Sequence, residues 1–320
     1  PRMGRPDGQF ACLCSFLLTL LVGFIVPTGA QEGTIYFSRE NEPGVYAVDA
    51  ETGDLKYVTD GRVHGRYGDG VLIRQSDGTT LTISSEGWMP APDPGSVELH
   101  RSADGSVVVY QRGGGLYTAN ADGTVEKELL IEQVRRWVWS PVTPGVIYFS
   151  RLKEGHSFTY DILTFDLTTF QEELVAEQRS IYGDTPLSPD GTRMIVSGCE
   201  GGGYCFSCLD VETGQIQDFG TRAVQDPSWP VWSPDSQRIL FSRHDGQAGM
   251  YHIDVGTGRV QSVAAGRSDA APTGGVWSPD GTYVAYHGRD YGVEEAADRI
   301  FIVPAFGGSP RELAKGSWPK

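Results

Sequence analysis

The chain has 320 residues, 42 of them glycine and 19 proline, with 39% hydrophobic and 11% aromatic residues and a formal net charge of −15. That length accommodates two average domains or one large all-β unit; the glycine content marks many turns without low-complexity disorder, and the apolar share supports a packed core. With 26 basic against 41 acidic residues, no broad cationic surface is available for a phosphate backbone, which argues against nucleic acid as a partner.

The first element is a leader. From Phe10 to Val26 runs an uncharged apolar stretch, preceded by Arg2 and Arg5 and followed by Pro27, Thr28, Gly29 and Ala30. Basic start, short apolar middle and small residues at the end are the three parts of a secretory signal, with cleavage expected before Gln31. The stretch is shorter than the ~20 residues of a spanning helix, an uncleaved anchor being the alternative. Cys12 and Cys14 stand at the start of the apolar run and not behind it, so they form no acylation site. Residues 1–30 are thus expected to be a signal peptide, and 31–320 an exported, acidic domain, periplasmic or extracellular, with no stable membrane span after cleavage.

The rest is a repeat. The first unit, Gly33 to Asp60, contains Ile-Tyr-Phe-Ser-Arg39, then Val45 to Gly53, then Leu55 to Asp60. Further units are headed by Arg66-Tyr-Gly-Asp-Gly70, Arg101-Ser-Ala-Asp-Gly105, Trp139-Ser-Pro141, Leu187-Ser-Pro-Asp-Gly191, Trp232-Ser-Pro-Asp-Ser236 and Trp277-Ser-Pro-Asp-Gly281, in steps of 35, 38, 48, 45 and 45 residues. Each head precedes β-rich runs separated by polar turns, which predicts four-stranded antiparallel blades. In Ser-Pro-Asp-Gly the proline presets φ, aspartate tolerates the next position and glycine takes the left-handed one that closes the hairpin. The aspartates are therefore structural, and each motif tryptophan offers a flat surface to the next sheet. The expected fold is an all-β propeller of seven blades, or six if Arg66 to Pro94 is an insertion. The first unit has no inner strand of its own, and Ser317-Trp-Pro-Lys320 matches Ser228-Trp-Pro-Val231 just ahead of Trp232. The chain thus looks cut where a further motif would begin, and a strand from its carboxyl end would complete the first blade and remove exposed sheet edges.

Beyond the leader the cysteines are Cys199, Cys205 and Cys208. In an oxidising compartment a disulfide between Cys199 and Cys205 is expected across Glu200 to Tyr204. Buried thiols and a three-thiolate zinc site are the alternatives, although the spacing lacks the paired pattern of structural zinc. Cys208 follows Cys205 by three, which on a strand turns it to the opposite side.

Trp-Ser-Pro-Asp-Gly followed by an aliphatic strand and a strand ending in Asp-x-x-Thr-Gly resembles the WD-like propeller repeat of TolB-type proteins, and also the propellers that precede the catalytic domain of prolyl-oligopeptidase-type peptidases. The likeness covers Gly33 to Lys320. It implies a propeller, and for the TolB type a periplasmic partner in an envelope-spanning complex; the same architecture also serves peptidase gates and carbohydrate-active enzymes.

The sequence contains no G-x-S-x-G, H-E-x-x-H or G-x-x-x-x-G-K-[ST] signature, so no catalytic residue, cofactor or metal is assigned. His64, His100, His156, His244, His252 and His287 are scattered over the units. Propeller lyases of similar architecture hold a divalent metal with clustered histidines, and His244 and His287 sit at similar positions in their units; the alternative is ordinary strand or surface histidines. Arg39, Arg112, Arg151 and Arg243 share one repeat position at the end of a second strand, with Arg289 one residue out of phase. Such arginines can gather at one rim and take carboxylates, uronates or phosphates in bidentate fashion. Alternatively each pairs with a neighbouring acid such as Glu40, Glu154 or Asp245 and only packs. Two functions follow: a non-catalytic exported scaffold holding a protein or peptide partner or a small anionic ligand at one face, or a propeller enzyme on acidic saccharides or peptidase gate, with the Arg rim, His244 and His287 near substrate.

Overall fold

The computed structural model describes residues 33–39, 44–67, 70–77, 79–84, 87–91, 99–101, 107–119, 126–183, 185–198, 204–220, 224, 227–266, 272–290 and 297–316. The expected leader lies outside them. All regular structure among the described residues is β, and no helix there is long and apolar enough to cross a membrane.

Among the described residues the strands form seven antiparallel sheets in chain order. Sheet one holds β1 (Thr34–Ser38), β2 (Val45–Asp49) and β3 (Leu55–Thr59); sheet two, β4 (Arg62–Tyr67), β5 (Gly70–Arg74), β6 (Thr80–Ser84) and β7 (Gly87–Ala91). Sheet three holds β8 (Leu99–Arg101), β9 (Val108–Arg112), β10 (Gly115–Ala119) and β11 (Glu126–Ile131); sheet four, β12 (Val134–Trp139), β13 (Val146–Leu152), β14 (Tyr160–Asp166) and β15 (Gln171–Ala176). Sheet five holds β16 (Arg193–Ser197), β17 (Phe206–Asp210) and β18 (Ile216–Asp218). Sheet six holds β19 (Pro227–Trp232), β20 (Arg238–Arg243), β21 (Gly249–Asp254) and β22 (Val260–Ala265). Sheet seven holds β23 (Thr273–Trp277), β24 (Tyr283–Asp290), β25 (Ala297–Pro304) and β26 (Arg311–Lys315). The weakly marked stretch after Arg66 thus belongs to a four-stranded sheet of its own. Sheet five keeps its inner segment only as the isolated bridges Ile181↔Val196 and Leu187↔Met194; Pro186 within it has no amide to donate to a ladder.

The larger hydrophobic clusters lie between sheets. Val109 and Leu116 meet Ile147 and Phe149; Ile162 and Ala176 meet Met194 and Leu209; Phe206 meets Phe241; Leu240 and Met250 meet Val284 and Val303. Ile35, Phe37 and Val48 of the first sheet pack on Ala285 and Ile300 of the seventh, so the two ends of the strand series are neighbours. Thr185↔Val231 is a parallel bridge between the inner segments of sheets five and six, as required when successive sheets present their inner edges in the same direction around an axis. This radial series of sheets is a β-propeller. Phe37, Phe149 and Phe241 share a repeat position and are fully buried, each contributing about 1.5–3 kcal/mol by the usual transfer scale. Strand alternation divides each inner strand between two neighbours: Trp139, Trp232 and Trp277 face the sheet before, whereas Val138, Val231 and Val276 face the sheet after. The expectation that the tryptophans face the following sheet is therefore reversed. Trp232 also donates its indole N–H to Pro186 O of the preceding sheet at 2.8 Å.

The Ser-Pro-Asp-Gly turns close as the motif predicts. Ser188 and Ser278 donate to Asp190 and Asp280 at 2.6 and 2.5 Å, and accept from the amides of Arg193 and Tyr283. Gly191 and Gly281 have φ of 72° and 71°, whereas Ser236 holds φ 59° without being glycine; its hydroxyl accepts from the Asp190 amide of the preceding sheet at 3.1 Å. Cys205 is disulfide-bonded and Cys208 is free and buried; Cys199 lies outside the described residues. Cys205 precedes β17, so the alternation that would have turned Cys208 away starts only at Phe206, and both cysteines border one buried cluster.

Candidate functional site: one end of the sheets

Each inner strand starts at the end where the second strand stops: Val134 pairs with Arg151, Pro227 with Arg243 and Thr273 with His287. This end, with the hairpins joining second to third strands, carries every arginine of the repeat position, and its side chains fall into three kinds.

Arg151 and Arg243 are engaged within their own sheets. Arg243 is buried and forms a fork with Asp245, Nε to Oδ1 at 3.1 Å and Nη2 to Oδ2, while its guanidinium stands 5.5 Å from the Tyr251 ring. That contact holds the Asp245 carboxyl below the usual carboxylate range. Arg151 forms a fork with Glu172 at 3.0 and 2.6 Å and lies 5.3 Å from the Phe149 ring; its partner is thus Glu172 on the outer strand and not Glu154. Arg39 lies over the Tyr46 ring at 4.2 Å and donates to Lys315 O at 3.2 Å, while Glu40 lies outside the described residues. Arg112 ends β9, exposed, opposite Gly115. Arg289 pairs through its backbone with Asp298. For Arg151 and Arg243 this geometry supports the packing role.

The histidines find hydroxyls. His244 Nε2 is 2.7 Å from Ser228 Oγ, and His287 Nε2 is 2.6 Å from Thr273 Oγ1. Ser228 and Thr273 are one 45-residue repeat apart, so the two histidines reach the same repeat position, from the strand end in one sheet and from within the strand in the other. Burial drives His287 down to about 4, so it stays neutral near pH 7. Among the described residues no group of three or more His, Cys, Asp or Glu gathers as a metal site.

The aromatic residues of this end escaped the sequence reading. Phe158 between β13 and β14 is 88% exposed, Tyr204 between β16 and β17 is 87% exposed, and Trp229 at the start of β19 is 39% exposed. Trp229 has φ 49°, a left-handed backbone that is an outlier for a bulky residue, and it meets the His244 ring edge-on at 5.9 Å. The bulge between Ser228 and Val231 permits that turn. The three sheets are tied together here: Arg136 at the start of β12 donates to Gly183 O at 3.3 Å, and the Tyr182 hydroxyl donates to Pro227 O at 2.8 Å. Gly183 has φ 91°, and a Cβ on it would stand 3.0 Å from Pro230 O, so only glycine lets this crossing close. A sequence signal for the site did exist in Ser228-Trp-Pro-Val231, which reads as spacing until its exposure is known.

No protein-family model matches the chain. It is similar to acylaminoacyl peptidase in complex with Z-Gly-Gly-Phe-chloromethyl ketone, at 13% identity and TM-score 0.60 over 88% of this chain and 52% of that one. It is also similar to oligogalacturonate lyase in complex with manganese, at 17% identity and TM-score 0.52 over 80% and 74% of the two chains. TolB from Acinetobacter baumannii matches at 16% identity and TM-score 0.49 over 95% and 69%. Identities this low speak for architecture alone, and what the chain shares with the peptidase and the lyase is the β-propeller fold.

Proposed function

We propose that the chain is an exported, non-catalytic β-propeller scaffold that docks a protein or peptide partner, or a small anionic ligand, at the end where the inner strands start. The observation that carries this reading is the exposure of Phe158, Tyr204 and Trp229 on three successive sheets at one end. Loops at one end of a rigid frame are the usual place for binding groups, and exposed aromatics are typical anchors of protein interfaces. In this reading residues 1–30 are a cleaved leader, the ring has seven blades, and Cys199 bridges Cys205. Intact-mass measurement of exported protein tests the first of these, a start before Gln31 counting against it; three titratable thiols in the folded, oxidised protein would remove the bridge.

The docking reading is tested by placing a photo-crosslinking amino acid at Phe158 or Tyr204, and at Phe170, which is exposed in the turn closing β14 and β15 at the far end. Adducts to one partner from the first two sites and not from the third are expected. Equal labelling from Phe170, or cleavage of an oligogalacturonate or peptide by the purified protein, would overturn the scaffold reading.

A further inference from the structure

We propose that Arg136 and Trp229 form a carboxylate-binding subsite at this end, and that the partner segment it takes is an extended peptide with an acidic side chain beside an aromatic one. The inference rests on the docking reading above and deepens it.

The first observation is the state of the Arg136 guanidinium. Arg136 is exposed, no acidic side chain among the described residues pairs with it, and its one described polar contact is the Gly183 carbonyl. Arg151 and Arg243 each spend their fork on a carboxylate. Arg135 next to it donates to the Tyr160 hydroxyl at 2.6 Å and lies 4.5 Å from that ring. Arg136 is held by one bond and retains donors, which is the condition for accepting an incoming carboxylate in bidentate fashion.

The second observation is what stands beside it. Gly183 abuts Pro230, the residue after the exposed Trp229, so the segment carrying Trp229 crosses the chain at the glycine whose carbonyl holds Arg136. The left-handed backbone at Trp229 is a cost that the surrounding bulge and the His244 contact sustain, and such outliers concentrate at ligand clamps. Charge chooses the occupant. At this end Asp161 and Glu177 are held by Lys153, and Asp245 by Arg243, which leaves the remaining Arg136 donors open to an incoming acidic segment despite the net charge of −15. An aromatic neighbour in the peptide supplies the apolar contact with Trp229 that a lone carboxylate lacks.

The experiment follows the indole N–H signal of Trp229, assigned by Trp229→Phe, in the full chain during titration with acetyl-Gly-Glu-Phe-Glu-Gly-amide. The same peptide with both Glu changed to Gln, and with both changed to Lys, are the controls. Saturable shifts with the acidic peptide are expected, with binding at least about tenfold weaker for the Gln peptide, the loss of one charge-assisted contact. Arg136→Gln should bring the acidic peptide down to the Gln-peptide level, while Arg135→Gln leaves it unchanged. Equal binding of the acidic and Gln peptides to the parent protein overturns the carboxylate subsite and leaves the docking face standing, and needs no variant to fold. Unaltered acidic-peptide binding by Arg136→Gln overturns the assignment to Arg136. No saturable shift with any of the three peptides counts against the subsite and the docking face together.

Discussion

At the end where third strands stop, each turn satisfies many of its own amides, while the Asp190 amide and the side chains of Gln217, Gln261 and Arg311 bond to a neighbouring sheet. Asp49, Asp166, Asp210 and Asp254 accept from backbone amides two or three residues ahead, and Asp190, Asp235 and Asp280 do the same in their hairpins. At the opposite end, too, bonds run between sheets: Ser38 accepts from the Val63 amide at 2.8 Å, Gln111 donates to Val134 O at 2.7 Å, and Arg136 and Tyr182 reach the sheets that follow. A turn that closes on itself can be repeated with small changes at little cost. Bonds that cross sheets depend on where the neighbours lie, and at this second, crossing end they stand beside exposed Phe158, Tyr204 and Trp229 and beside Arg136, with which no carboxylate among the described residues pairs.

If the buried fork of the crossing end outweighs the exposed turns of the other, the largest single cost belongs to Arg243→Gln. The change strands the mostly buried Asp245 carboxylate without its fork, and a loss of about 2–4 kcal/mol is expected in denaturant unfolding. A variant as stable as the parent would show that the arginine is idle and open to a ligand. Acid sharpens the comparison next. His287 at the crossing end and His252, buried between sheets six and seven toward the turn end, are both pushed down to about 4, first by desolvation. Near pH 7 each is neutral in the folded and unfolded chain. Below about 6.5 the unfolded chain binds protons that the folded chain refuses until about 4, so stability falls as pH is lowered through that window, by on the order of 1–3 kcal/mol per group. His252→Ile, by analogy with Ile302, which pairs with Ala285 as His252 pairs with Leu240, should flatten part of that slope in melting curves at pH 7 and pH 5; an unchanged slope would place the acid sensitivity elsewhere.

The turn end should yield smaller effects. Asp210→Ala removes the acceptor for the Thr213 amide and hydroxyl, both at 2.8 Å, and is expected to cost about 0.5–1.5 kcal/mol in the unfolding free energy. The Asp210 carboxyl is held below the usual range, first by the Thr213 amide. Its contribution is complete above the pH at which unfolded aspartate titrates, near 3.8, and is lost as pH falls through the folded value. A loss for Asp210→Ala as large as that for Arg243→Gln would erase the distinction between the ends. Smallest is Arg151→Gln, whose fork with Glu172 is about one-third exposed; the expected cost is ~0.2–1 kcal/mol, and a drop of several kcal/mol would make it a second strut like Arg243.

Much of the fold was legible because it is built locally and repeated. Ser-Pro-Asp-Gly carries its own turn chemistry, the phenylalanine of Ile-Tyr-Phe-Ser-Arg is buried in each copy, and the 45-residue step announces stacked sheets. The arginine position was also legible as a position, since Arg39, Arg112, Arg151 and Arg243 do close equivalent strands. What those side chains touch was not. Arg151 and Glu172 are 21 residues apart, with a whole strand between them. Which sheet each tryptophan faces was hidden for a related reason: period-two alternation tells that Trp232 and Val231 point opposite ways, and only the direction of winding around the ring decides which neighbour each one meets.

The sequence by itself determined the class of fold, the closure of the motif turns and the residues that fill the sheet interfaces, because backbone preference, glycine placement and strand alternation act within a few residues. Tertiary structure decided which carboxylates Arg151 and Arg243 take, and that Arg136, Gly183 and Pro230 meet, because that contact joins three sheets whose residues lie about 47 positions apart along the chain and depends on sheet packing that no local preference encodes.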